Sequence, residues 1–162
     1  MTTPEDGSGR QPMAAVNEMP TEEFVEAFSD LCGSGWIAPR LAGQRPFASR
    51  HLMLSALTAV VRNAPEEDQK ALLACFAAAP SLPKDDAETA KRRSAYEARF
   101  GQPFIMAPDG GRSHEAVKAA LRARLHATEA EERQTAIDEI VKIIGARLDR
   151  LVADGPGGER AA

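Results

Sequence analysis

Apolar residues recur at three- and four-residue intervals along most of this chain, and no stretch alternates convincingly in the two-residue rhythm of a strand. Phe24, Phe28 and Leu31 form one such stripe, opened by Pro20-Thr21-Glu22-Glu23 and closed by Gly33 and Gly35. Trp36 to Leu41 predicts a short helix with Trp36 as a core anchor. Gln44-Arg45-Pro46-Phe47 reads as a loop, and Ser49 as the cap of a helix carrying Met53, Leu57 and Val60. Pro65 and the acidic Glu66-Glu67-Asp68 open a helix through Leu72, Leu73 and Phe76. Ser113 caps another, with Val117, Leu121 and Leu125 facing inward. Thr128-Glu-Ala-Glu131 is a capping box at the head of the longest stripe, which runs through Ile137, Ile140, Val141, Ile144, Leu148, Leu151 and Val152. The pattern predicts an all-α fold, a single domain of about six or seven helices.

One stretch departs from this rhythm. From Lys84 to Phe100 the helix is polar at first and gathers its apolar residues only at the end, so its front half should be exposed. Tyr96 and Phe100 share a face. Gly101 stands where a helix end wants positive φ, and Pro103 forbids continuation and extends Gln102. Phe104, Ile105 and Met106 then form an apolar run too short for a helix, before Asp109-Gly110-Gly111 turns the chain. Buried extended backbone beside a helix end needs polar partners, which is how a pocket wall is made.

Composition narrows the functional classes. The 162 residues suffice for one core, and the hydrophobic and charged fractions, 43% and 27%, are those of a globular protein. A net charge of −4 gives no electrostatic case for nucleic acid. No apolar run reaches membrane-spanning length, and no signal peptide is visible. Cys32 and Cys75 are isolated and read as small core residues; His51, His114 and His126 lack metal-ligand spacing. The chain therefore reads as cytoplasmic and reduced, with no metal. Residues 1–18 read as a disordered N-terminal arm, 19–153 as the helical domain and 154–162 as a flexible tail. Arg147 lies at the rim of the last stripe, on the row of Ile143 and Leu151, where an arginine either snorkels to solvent or reaches an anion.

Taken together, Phe24, Phe28, Trp36, Arg45-Pro46-Phe47, Tyr96, Arg99-Phe100-Gly101-x-Pro103-Phe104-Ile105, Glu139-Ile140-x-Lys142-Ile143 and Arg147-Leu148 make the chain resemble the OHCU decarboxylase family over roughly residues 21 to 152. The resemblance implies an all-helical, cofactor-free homodimer. Such an enzyme decarboxylates 2-oxo-4-hydroxy-4-carboxy-5-ureidoimidazoline (OHCU) to (S)-allantoin in urate breakdown. It implies that Arg147 binds the substrate anion, that the backbone at Phe104 and Ile105 contacts substrate, and that Pro80 belongs to the pocket. The family's catalytic His-Pro-x-Leu string is matched here by Ala79-Pro80-Ser81-Leu82, so alanine stands at the histidine position. Only sixteen positions separate Pro80 from Tyr96, and the family's Ser-x-x-Glu-Gln helix does not fit between them. No catalytic residue can be named, and three readings stay open. One is a repurposed enzyme acting on a small anionic heterocycle; another is an inactive helical binding or dimerisation module; the third is an authentic decarboxylase.

Overall fold

The computed structural model describes residues 10–32, 35–75, 87–107 and 113–153, the side chains of Asp30, Cys32 and Cys75 excepted. Eight helices occur among them: α1 (Met13–Glu18), α2 (Thr21–Cys32), α3 (Ile37–Ala42), α4 (Arg50–Arg62), α5 (Glu66–Cys75), α6 (Ala87–Phe100), α7 (His114–Leu125) and α8 (Glu129–Leu151). Among the described residues there is no strand; Gln11 and Val152 form a single parallel bridge. None of these helices is long and apolar enough to cross a membrane. The fold is all-α, as the periodicity predicts.

The chain divides into two compact units, residues 1–64 with 144–162, and residues 65–143. Within the first, α2 packs on α3 and α3 on α4. Phe24 and Phe28, one turn apart, are buried with ring centroids 4.7 Å apart. Ser49 caps α4 by accepting the Leu52 N–H at 3.1 Å. The buried row of α4 is Met53, Leu57 and Val61, at four-residue steps; Val60, expected in the stripe, is only half-buried. The expectation for the N-terminal arm is corrected from Arg10 onward. Met13 and Val16 are buried in α1, and Gln11 trades backbone hydrogen bonds with Leu151 and Ala153 at 2.8 and 2.9 Å.

The loop at Arg45-Pro46-Phe47, which holds a cis Arg45–Pro46 bond, keeps α1 in place. The Arg45 guanidinium donates to the carbonyls of Val16, Met19 and Ala42 at 3.0, 2.6 and 3.1 Å and stacks on the Phe24 ring at 4.8 Å. Asn17 and the Phe47 backbone exchange two bonds of 2.8 Å. By composition alone this segment reads as disordered; the partners that order it lie about thirty residues away. Trp36 is half-buried rather than a core anchor. Arg40 stacks over its ring at 4.7 Å, and its buried indole N–H has no hydrogen-bond partner among the described residues.

In the second unit α6 packs on α7. Only Thr89 and Tyr96 of α6 are fully buried, two turns apart, so the helix is exposed along most of its length, including the front part described from Ala87. Ser113 caps α7 by accepting the Ala116 N–H at 3.1 Å, and Val117 and Leu121 are buried with Leu125 packed beside them. The capping box of α8 is complete. Glu131 N–H donates to the Thr128 hydroxyl at 3.1 Å, and Thr128 N–H to the Glu131 carboxylate at 2.9 Å. Helix α8 carries a buried row at four-residue spacing, Ala136, Ile140, Ile144 and Leu148, continued by Val152. Leu151, placed in the stripe by spacing, is 39% exposed.

Candidate functional site

The sharp end of α6 and the extended segment after it lie in the second unit. Gly101 adopts φ 67°, and its N–H closes the last turn onto the Glu97 carbonyl at 2.9 Å. Pro103 then frees the chain from the helix, and Phe104 and Ile105 turn fully inward. Tyr96, Phe104, Val117 and Leu121 make a buried cluster with Phe100 and Met106 packed against it. The Phe104 ring meets Tyr96 edge-on with centroids 5.2 Å apart.

Extended backbone inside a helical unit has no ladder to satisfy it, so side chains do. The Ile105 carbonyl accepts from Arg124 Nη1 at 2.7 Å, and the Ala107 N–H donates to Glu139 Oε1, also at 2.7 Å. Burial works against a charge on Glu139. The Lys142 ammonium at 2.8 Å and the Ala107 N–H outweigh it and hold the carboxyl below its ordinary value.

Behind this segment lies a buried ionic lock. Glu132 is wholly buried, and the Arg124 side chain is 10% exposed. Arg124 donates through Nε to both Glu132 oxygens at 3.0 Å, and through Nη2 to Oε2. Its guanidinium also lies over the Phe104 ring at 4.6 Å. The Tyr96 hydroxyl donates to Glu132 Oε2 and accepts from the Gln102 amide at 3.1 Å. Burial, followed by the Glu132 carboxylate, pushes the Tyr96 hydroxyl well above its ordinary value. Sequence reasoning missed the lock. Its one legible signal is that Glu132 heads the row of Ala136 and Ile140, a carboxylate where the periodicity calls for an apolar side chain.

Arg147 belongs to the first unit. It is half-buried, and its Nη1 donates to the Leu31 carbonyl at 3.2 Å. That carbonyl lies in the last turn of α2, where backbone acceptors lack helical partners and the dipole favours a cation. Phe104 and Ile105 belong to the second unit. Pro80, and with it the Ala79-Pro80-Ser81-Leu82 string, lies outside the described residues, as do the side chains of Cys32 and Cys75 and the Asp109-Gly110-Gly111 turn. His51, His114 and His126 are exposed. His51 lines a hollow of about 140 Å³ in the first unit with Arg50, Leu54, Leu148 and Asp149. Among the described residues no three His, Cys, Asp or Glu side chains are grouped to hold a metal ion.

Comparison with known proteins agrees with this architecture. The family described as OHCU decarboxylase matches residues 17–94 and 77–149. The chain is similar to a 2-oxo-4-hydroxy-4-carboxy-5-ureidoimidazoline decarboxylase of Haloferax volcanii, with 32% identity over 154 residues, covering 82% of this chain and 91% of the relative. It is similar to a protein of the same description from Amia calva, with 27% identity over 165 residues, covering 86% and 94%. Among solved structures, an (S)-allantoin synthase superposes with a TM-score of 0.76 at 22% identity, over 86% of this chain and 54% of that one. An OHCU decarboxylase crystallised with (S)-allantoin gives 0.64 at 19% identity, over 82% and 97%. At these identities the two structures speak for the fold alone.

Proposed function

Because this chain belongs to the OHCU decarboxylase family, we propose that it retains that family's small-anion scaffold but acts, without a cofactor, on a different small anionic nitrogen heterocycle. The observation that carries this is Ala79. Where the family resemblance calls for a catalytic histidine the chain has a methyl group, and a methyl group neither accepts nor delivers a proton. A shortened segment beside it supports the same reading. The 154 positions aligned with the Haloferax volcanii relative use 82% of this chain, about 133 residues, so about twenty positions of the relative fall opposite gaps here. The two family matches also overlap at residues 77–94, across the place where the Ser-x-x-Glu-Gln helix has no room.

What remains is a binding half. In this reading Arg147 is the residue that pairs with an anion and the Phe104–Ile105 backbone the stretch that contacts substrate, each taken by itself in its own unit. The chain works as a homodimer. The lock of Arg124, Glu132 and Tyr96 fixes the Phe104–Ile105 backbone through the Ile105 carbonyl. The likeness to proteins described as decarboxylases favours authentic OHCU decarboxylation as the second reading.

The binding half is tested with urate, a stable anionic nitrogen heterocycle, in a thermal-shift titration. Urate should raise the melting temperature of the wild-type protein. Arg147→Ala should abolish that rise, a loss of about 2–5 kcal/mol in binding, while its own melting temperature stays close to wild type. If Arg147→Ala melts several degrees lower and urate affects neither protein, Arg147 only ties down the end of α2, and the binding half falls.

A further inference from the structure

A second candidate site lies within the second unit, at the first turns of α5 and α8. Lys70, Phe100, Gly101, Gln102, Glu129 and Arg133 line a hollow of about 170 Å³. None of Phe104, Ile105 and Arg147 is among them, so this hollow is independent of the proposed function. Lys70 and Arg133 each sit four residues after the first residue of their helix. Both cations converge on one carboxylate oxygen, Glu66 Oε2, at 3.0 and 3.1 Å. The pair is unequal in burial. The Arg133 side chain is 19% exposed, whereas those of Lys70 and Glu66 are 57% and 55% exposed. Arg133 Nε is shut off from solvent and has no hydrogen-bond partner among the described residues.

Two positive groups share one exposed carboxylate oxygen, and a guanidinium with a buried unmet N–H is short of acceptors. Lys70, followed by Arg133, holds the Glu66 carboxyl below its ordinary value, as two cations favouring an anionic oxygen must. The rest of the lining shapes the occupant. A Cβ built at Gly101 would meet nothing within 4 Å, so that wall is open, and Phe100 offers an apolar ring. A volume of this size, at about 30 Å³ per water, holds a body of roughly half a dozen non-hydrogen atoms. The Glu129 carboxylate limits the charge. With Lys70 and Arg133 positive and Glu129 negative, one negative charge remains to be supplied; Glu66 supplies it, and a monoanion would supply it in place of Glu66.

We propose that this hollow binds a small monocarboxylate, gripped by Arg133 and Lys70, and that the Glu66 side chain is the chain's own stand-in, which the ligand displaces toward solvent.

The test uses the full chain titrated with acetate at constant ionic strength, read by the amide signals of Gly101 and Gln102 in ¹H–¹⁵N NMR. Saturable shifts are expected. Glu66→Gln removes the internal competitor and should tighten acetate by about threefold or more, while Arg133→Gln and Lys70→Gln should each weaken it by about tenfold. Lys70 is exposed enough that its variant folds, which keeps the test valid if Arg133→Gln does not. Shifts that grow linearly without saturation, or that are untouched by Lys70→Gln, mean non-specific ion binding only and overturn the proposal. Weaker acetate binding by Glu66→Gln would also overturn it, because Glu66 would then be building the site rather than competing for it.

Discussion

Glu132 and Arg133 are adjacent on α8 and belong to opposite kinds of ion pair. Glu132 faces a closed interior, where one arginine fork, one phenol and no solvent surround it. Arg133 faces a rim, where its partner Glu66 is more than half exposed and is shared with Lys70. In the interior the cost of desolvating both charges is already met by geometry, so removing one partner strands the other. At the rim water screens the pair, and another anion can replace the carboxylate at little cost to stability. The same chemistry, one residue apart, gives a fixed lock in one place and an exchangeable contact in the other.

The interior pair is where this contrast is most exposed to failure. Glu132→Gln keeps the shape and removes the charge, and should cost about 3–5 kcal/mol of unfolding free energy in urea, because Arg124 is left buried without its counter-ion. A loss as small as that of a surface pair would mean that the interior is wetter than its burial indicates. Tyr96→Phe comes next. It leaves Gln102 without its acceptor and Glu132 without one donor, for about 1–3 kcal/mol.

The pH dependence arises from the same hydroxyl. A phenol raised in the folded state keeps its proton there after an unfolded tyrosine has lost it. Above the ordinary value of 10.0, therefore, the unfolded chain releases a proton that the folded chain retains, and stability falls as pH rises. The alkaline fall in wild-type stability should be shallower in Tyr96→Phe.

Glu139→Gln should have a smaller effect, about 1 kcal/mol at neutral pH, from its bonds to the Ala107 N–H and Lys142. Its carboxyl is lowered in the folded state, so its contribution is present above the ordinary carboxylate value of 4.5 and is lost as pH falls through the depressed one. Urea titrations of wild type and Glu139→Gln should therefore converge in acid. At the rim, Glu66→Gln should leave the melting temperature unchanged; a clear drop would erase the distinction between rim and interior.

The parts of this molecule legible in the sequence are those fixed by neighbours along the chain. Ser49, Ser113 and the Thr128–Glu131 box bond only three residues away, and Gly101 closes a turn four residues back, so pattern reading reaches them. The lock joins residues 36 apart at Tyr96 and Glu132, and eight apart across the turn between α7 and α8 at Arg124 and Glu132. No local rule pairs them. Helix α1 is hidden for the same reason: its two buried residues and the Arg45 contacts outweigh a composition that reads as disorder. Of the candidate site, Phe104 and Ile105 are legible from a proline, a glycine and a short apolar run. The partner of Ile105 is not, because Arg124 reads as one of several charges near a helix end.

The decisive experiment on the proposed function is incubation of the wild-type protein with freshly prepared OHCU, with (S)-allantoin formation followed by circular dichroism against the spontaneous reaction. A chain with alanine at position 79 and no Ser-x-x-Glu-Gln helix should leave the spontaneous rate unchanged. A large acceleration of (S)-allantoin formation would contradict the proposed change of substrate and restore authentic decarboxylation.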